Sequence, residues 1–360
     1  MSEIARETSA AGQGSLEAVR ARANVRSQRL EDLARWVARR GFEPYRASQI
    51  AGWLYNRPLV SVGAMHTLPV AVREALEADF DCRPPAAERI VESRDGTRKL
   101  LVRLADGQAI ESVLIPRDER TTLCLSSQVG CGLGCRFCAT ARIGFRRNLE
   151  AGEMVAQVLL ARELARPALL TNYVFMGMGE PLANREQLLR ALEIFTARWG
   201  LGISPRRITV STVGLVPDLV ELARRTKVNL AVSLNATDDT TRSRLMPVNR
   251  RYPIGALMDA CRQLDLPRRK RITFEYVLLA GVNDRPSDAT RLVELCRGLR
   301  VKVNLIPFNP FPGSEFSRPS DERVVEFQNR LLSAGVHATV RASRGGEIHA
   351  ACGQLVGGAS

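Results

Sequence analysis

The chain has 360 residues, 45% of them hydrophobic, with 52 Lys and Arg against 38 Asp and Glu, a formal charge of +14 and a pI near 10.1. That length can bury one large core and a smaller one. It holds no apolar run fit to span a bilayer, its polar start over residues 1–14 lacks the basic head and apolar core of an export signal, and eight cysteines without export argue against a disulfide scaffold, so a cytoplasmic protein is expected.

Residues 1–27 are small, polar and rich in Ala, Gly and Ser, and read as a flexible tail. Residues 28–85 read as a small helical domain. Leu30, Leu33, Trp36 and Val37 have helical spacing that Gly41 and Pro44 break, and helices are predicted over 47–55 and 70–80. Residues 86–120 change to strand patterns with hairpin signals at Asp95-Gly96 and Asp106-Gly107, which predicts a β-meander linking into the main domain.

From residue 121 to 344, strand-like runs alternate with helical stretches. Strands are predicted over 121–127, 172–178, 207–212, 229–235, 272–279, 301–308 and 337–342. Helices are predicted over 151–165, 185–197, 216–224, 254–264, 288–299 and 321–334. Repeated β-then-α units imply an α/β fold with a parallel sheet and right-handed crossovers, a barrel or partial barrel. Chemistry in such folds sits at the C-terminal strand ends, which gathers residues 131–138 and 177–180 with Ser211, Asn235 and Asn309 at one mouth. Residues 345–360 form a C-terminal segment carrying Cys352.

Charge adds a partner class. Residues 1–100 carry a net +3 and the remainder +11, with clusters at Arg146-Arg147, Arg206-Arg207, Arg250-Arg251 and residues 268–271. Arginine forks suit phosphates, and RNA is the polyanion that fits.

The chemistry starts from Cys131, Cys135 and Cys138, spaced Cys-x3-Cys-x2-Cys directly after the first predicted strand of the barrel. Gly132 and Gly134 let the backbone wrap closely. A zinc site would want a fourth Cys or His nearby, and His66, His337 and His349 are all remote. Three thiolates instead suit a 4Fe–4S cluster with one iron left open for another ligand. At the next strand end, Gly177 and Gly179 permit close backbone approach, and Glu180 can accept from a ligand ammonium. Cys82, Cys261 and Cys296 read as small buried hydrophobes.

The cysteine spacing resembles the radical S-adenosylmethionine (SAM) superfamily, in which SAM binds the open iron and its reductive cleavage gives a 5′-deoxyadenosyl radical. That resemblance implies a partial (β/α)6-type barrel, with Cys131, Cys135 and Cys138 on the cluster and SAM held by Gly179, Glu180, Ser211, Ser233, Leu234, Asn235 and Asn309. A closer likeness covers all but the tail. Residues 124–140, 144–149, 208–212, 246–249, 304–313 and 350–355 resemble the RlmN and Cfr RNA adenosine methyltransferases, and the helical region resembles that family's accessory RNA-binding domain.

The family likeness implies roles for the outlying residues. Cys352 carries a methyl group as S-methylcysteine, and Cys124 resolves the RNA–protein link through a transient disulfide. Glu111 matches the proposed proton acceptor. The expected reaction is C2 methylation of adenosine 2503 in 23S rRNA, and of adenosine 37 in tRNA, by a monomer fed by an external electron donor. Cfr-like C8 methylation, a glycyl-radical activating enzyme and a non-catalytic Fe–S RNA-binding protein are the alternatives. One departure stands out: Asn235 lies in Ser-Leu-Asn-Ala, where many relatives carry His.

Overall fold

Three antiparallel strands open the main sheet: β1 (Ala87–Glu92), β2 (Arg98–Arg103) and β3 (Ala109–Arg117). The turns between them are the two Asp-Gly pairs, with Gly96 and Gly107 at φ of 78° and 82°. The side chains of Asp95 and Asp106 accept from the backbone N–H of Thr97 (2.9 Å) and Gln108 (3.0 Å), closing each turn. β4 (Arg120–Leu125) pairs antiparallel with β3, which sets Val113 opposite Cys124. A small hairpin of β5 (Gln128–Gly130) and β6 (Phe145–Asn148) stands apart.

The remaining strands are β7 (Leu170–Phe175), β8 (Ile208–Thr212), β9 (Asn229–Ser233), β10 (Ile272–Leu278), β11 (Val301–Pro307) and β12 (Ala338–Val340). They follow β4 in parallel, giving one ten-stranded sheet in the order β1-β2-β3-β4-β7-β8-β9-β10-β11-β12. Crossover helices Ala151–Ala165, Arg185–Thr196, Val216–Arg225, Ile254–Gln263 and Pro286–Cys296 connect successive parallel strands, and Asp321–Ser333 leads into β12. This is the expected partial barrel. The β-meander is no separate linker, however: it continues the main sheet, because the tight turn at Asp118 (φ 50°) keeps β3 beside β4 and covers what would be an open edge.

The computed structural model describes residues 22–358 apart from 58, 167 and 268, so most of the expected tail and Arg268 lie outside the described residues. Residues 22–27 correct the tail boundary. Asn24 bridges Asp81, Val25 is fully buried, and Val25–Ser27 forms a 3-10 turn against the helix Ala151–Ala165. Gly152 permits that contact: its N–H donates to Ser27 Oγ (2.9 Å), and a Cβ there would meet Asn24 Oδ1 at 2.6 Å. The helix therefore buries apolar residues all round its axis, against the sheet on one side and the N-terminal residues on the other.

Helices Leu30–Arg39, Arg46–Tyr55 and Val70–Asp79 form the N-terminal module. Trp36 Nε1 donates to Asp79 (2.7 Å), and Arg190 reaches from the barrel to Asp32 (2.7 Å) and to the Ser27 carbonyl (3.0 Å). The helix expected over 288–299 instead begins at Pro286, since proline is preset for a first helical turn, and stops before Gly298 at φ 75°. The short helix Asp239–Leu245 has no counterpart among the sequence expectations; Asp238 caps it by accepting from the Thr241 N–H at 2.8 Å.

Candidate active site

The three clustered cysteines lie on the loop between β5 and the short helix Ala139–Arg142. Gly130, at φ 74°, starts the loop; a Cβ there would fall 1.8 Å from the Gly144 carbonyl oxygen. The loop leans on the chain after Asp239–Leu245: Arg136 N–H donates to the Leu245 carbonyl (3.0 Å), and Gly134 faces Pro247. All three thiols are free. Burial pushes each upward, Cys131 to about 11 and Cys135 further, and each thiolate would be opposed by its neighbours. A donor set of three mutually repelling sulfurs fits a cationic metal core. No three His, Cys, Asp or Glu among the described residues converge tightly enough for a single ion. A four-iron cluster does not require that, because its thiolates bind different irons and stand around a cube face.

Beside Cys138 is a cavity of 160 Å³ lined by Gly179, Glu180, Ser211, Ser233, Asn235, Asn309 and Cys352. Six of the seven residues expected to hold SAM are thus gathered. Leu234 is the exception. It is fully buried and points away from the cavity lining, while its N–H donates to the Glu275 carbonyl (3.0 Å).

Glu180 is set deliberately. Its Oε1 accepts from the Leu182 N–H (3.1 Å) and its Oε2 from the Val213 N–H (2.9 Å). Burial nevertheless raises its carboxyl to about 7. Gly179 cannot carry a side chain: at φ 96°, a Cβ would come within 2.5 Å of Gln128 Cβ. Asn235, at φ 57°, uses its side chain internally, with Oδ1 accepting from the Val277 N–H (2.8 Å) and Nδ2 donating to Met246 Sδ (3.2 Å). An amide here brackets β9 to β10, a task for which no protonated imidazole is needed.

A second cavity, of 570 Å³, adjoins the first between β4 and β12, the first and last parallel strands. Cys124 and Cys352 both line it, as do Cys138, Glu275 and Arg341. Residues 228 apart along the chain have no such relation in sequence; the closure of the sheet creates it. Burial pushes the Cys124 thiol up to about 12. Arg341 opposes this: its guanidinium is raised by Cys352 first, then by Glu275 and Cys124. Glu275 Oε2 accepts from Asn304 Nδ2 at 2.7 Å. Neither Glu275, in the middle of β10, nor Arg341, just past the end of β12, stood out in the sequence.

The C-terminal segment is pinned from several sides. Ala139 N–H donates to the Gly353 carbonyl (2.7 Å), Thr140 Oγ1 to the Leu355 carbonyl (2.7 Å), and Asn309 Nδ2 to the Cys352 carbonyl (3.2 Å). Gln354 Nε2 donates to the Pro310 carbonyl at 2.7 Å. Glu111 belongs to this anchoring. Its Oε1 pairs with Lys99 Nζ (2.9 Å), and its Oε2 accepts from the N–H groups of Val356 and Gly357. It lies outside the lining of both cavities, so the structure does not bring it to the two thiols. Cys131 and Cys135 are likewise outside the lining, which Cys138 alone of the three reaches.

The expected basic clusters divide. Arg147 is tied to Asp106 and Glu153 at 2.6 and 2.8 Å, whereas Arg146 is exposed. Arg117 and Arg344 line the second cavity with Arg341. Among the described residues, no helix is long and apolar enough to cross a membrane.

Comparison with known proteins covers both halves. The radical SAM superfamily matches residues 125–293, and the ribosomal RNA large subunit methyltransferase N-terminal domain matches residues 23–81. The second match begins within the segment that Val25–Ser27 anchors. The dual-specificity RNA methyltransferase RlmN of Syntrophobacter fumaroxidans is 50% identical over 92% of this chain and 97% of its own length. That of Geobacter sulfurreducens is 48% identical over 93% and 92%. A crystal structure of a radical SAM methyltransferase from Sphaerobacter thermophilus superposes with a TM-score of 0.90 at 48% identity, covering 93% of this chain and 99% of that one.

Proposed function

The chain belongs to the RlmN family of radical SAM RNA methyltransferases, which use a 4Fe–4S cluster and SAM, and from that premise we propose that it methylates C2 of adenosine 2503 in 23S rRNA and of adenosine 37 in tRNA. The observation that carries the reading is the shared cavity of Cys124 and Cys352, one wall of which is the cavity that collects the SAM-motif residues. A superfamily member with other chemistry has no need of two thiols there.

When bound, the cluster and SAM supply a transferable methyl group and a one-electron route to a carbon radical. Cys131, Cys135 and Cys138 hold the cluster; Glu180 takes the ammonium of SAM, with Ser211, Ser233 and Asn309 supplying further polar contacts. An adenine ring carbon is a poor nucleophile, so the methyl carbon first resides on the sulfur of Cys352. Joining it to the ring would break one methyl C–H bond, the hydrogen atom going to the radical that bound SAM would supply, and would give one electron back to the cluster; the RNA is then tied to Cys352. The Cys124 thiolate then attacks the Cys352 sulfur, an S–S bond forms as the S–C bond breaks, and the freed carbon takes a proton to become the methyl group. An external donor reduces the disulfide.

The ring proton needs an acceptor. We assign Glu111 to it, on condition that Val356 and Gly357 release its carboxylate when RNA enters. The target base must be unstacked to reach the cavity, and Arg117, Arg341 and Arg344 around it suit the phosphates that follow. Expression in a host lacking the modification, followed by mass spectrometry of digested 23S rRNA and tRNA, is expected to give 2-methyladenosine in both. A product of 8-methyladenosine, or none, overturns the assignment.

A further inference from the structure

Arg242 is the largest fully buried side chain of the described residues. It sits on Asp239–Leu245 and makes five hydrogen bonds, all to neutral oxygens. Nε donates to the Leu234 carbonyl (3.0 Å), one terminal nitrogen to Asn249 Oδ1 (2.8 Å) and the Tyr252 carbonyl (3.3 Å), and the other to the Val213 and Ser233 carbonyls (2.8 and 3.2 Å). Among the described residues, no carboxylate lies within ion-pair distance of it. The nearest acid on its own helix, Asp239, spends Oδ1 on Asn249 Nδ2 and the Ile254 N–H, both at 2.9 Å.

An unpaired cation in the interior is costly unless something else carries the opposite charge. Leu133, Cys135 and Phe137 of the cluster loop pack against Leu245, Met246 and Val248, which close and follow the helix of Arg242, and a thiolate at Cys135 would favour the Arg242 charge more than Asp239 does. The carbonyls Arg242 gathers are the ends of β8 and β9, next to Ser233 and Asn235 of the SAM cavity. The loop after its helix is the one on which Arg136 and Gly134 rest. The side chain therefore touches the walls of the SAM site, and the helix that carries it abuts the cluster loop. Three thiolates outweigh the charge of an oxidised 4Fe–4S core, and reduction makes the cluster more anionic still.

We infer that Arg242 is the buried counter-charge of the iron–sulfur cluster, a positioning residue that favours the reduced state while it ties the SAM-binding strand ends to the cluster loop. A fixed positive charge in a dry site acts at low dielectric and stabilises the added electron. Burial lowers the guanidinium only to about 10, so the charge is present at neutral pH. The inference rests on the cluster that the three cysteines hold and is independent of which RNA carbon is methylated.

The test is an EPR-monitored redox titration of the reconstituted holoenzyme, with iron content and SAM affinity measured alongside. Arg242→Gln removes the charge and keeps polar contact with the carbonyls; Arg242→Lys keeps the charge and loses the fork. At one ambient potential, Arg242→Gln is expected to lower the ratio of reduced to oxidised cluster at least tenfold, about 59 mV for one electron, and Arg242→Lys less than threefold. A loaded Arg242→Gln protein with the wild-type midpoint overturns the inference. Should Arg242→Gln fail to fold or to take up iron, Arg242→Lys decides: cluster content and midpoint near wild type support the counter-charge, and failure of both variants overturns it, since shape rather than charge would then be what the site needs. RNA methylation enters none of these readouts, so an error in the proposed reaction leaves them intact.

Discussion

Glu111 on β3 accepts from the backbone N–H of Val356 at 2.7 Å, 245 residues further along the chain. The bond fastens the segment carrying Cys352 to the antiparallel edge of the sheet, and Lys99 completes the arrangement from β2. The acid proposed to accept the ring proton is, in this structure, a latch.

That double use gives the first prediction. Glu111→Gln is expected to leave methylation of Cys352 near the wild-type rate, reduce RNA methylation at least 100-fold, and speed hydrogen exchange at Val356 and Gly357. Mass spectrometry of the Cys352 peptide and of the RNA separates the two steps. Glu111→Ala further strands Lys99, whose side chain is 14% exposed, and is expected to cost about 3 kcal/mol, the scale for breaking a largely buried pair from one side.

The two thiols should fail differently. Cys352→Ala is expected to remove the proposed methyl carrier and with it all RNA methylation. Cys124→Ala keeps the carrier and loses the release step, so RNA accumulates on the protein as a covalent adduct visible on a denaturing gel. Because burial holds the Cys124 thiol near 12 in the free protein, its thiolate is scarce at neutral pH. Release in the wild type is therefore expected to quicken as pH rises from 7 to 9, by up to tenfold per unit; a flat profile would show that RNA binding lowers the Cys124 pKa fully.

SAM affinity should follow Glu180. The ammonium of SAM needs the carboxylate form, and burial has raised this group to about 7. Affinity is expected to be level above pH 8 and to fall as pH drops through 7, approaching tenfold per unit on the acid side. Calorimetry of the cluster-loaded enzyme measures it, and Glu180→Gln should bind weakly at every pH with the slope gone.

Gly179→Ala is expected to destabilise the protein by about 2–4 kcal/mol, since φ of 96° is strained for alanine and the new Cβ would meet Gln128 backbone N at 2.8 Å as well as its side chain. Urea denaturation gives the shift in midpoint. SAM binding should drop with it, because Gln128 Oε1 is the acceptor for the Glu180 N–H at 2.8 Å.

Much of this was legible in the residues. Period and turn chemistry gave the parallel strands of the sheet to within a few residues, because β-then-α alternation leaves strands covered on both faces and mostly apolar, as in β10. The Cys-x3-Cys-x2-Cys spacing and the Gly-Glu pair are local, so their chemistry survives without coordinates. The short helix Asp239–Leu245 escaped notice because a polar seven-residue run shows no apolar face; of its two buried side chains, Arg242 and Leu245, one is an arginine.

By itself, then, the sequence determined the α/β alternation and displayed the Cys-x3-Cys-x2-Cys run and the two outlying cysteines. Tertiary structure alone decided that Cys124 and Cys352 share a cavity, that the meander joins the main sheet, that Glu111 is held by the C-terminal segment, and that the Arg242 guanidinium is buried among neutral oxygens beside the SAM cavity. The reason is physical. Spacing along a chain fixes only what one loop, turn or helix can bring together, whereas a cavity wall is set by which strands become neighbours, and a buried charge finds its partners only when the sheet closes around it.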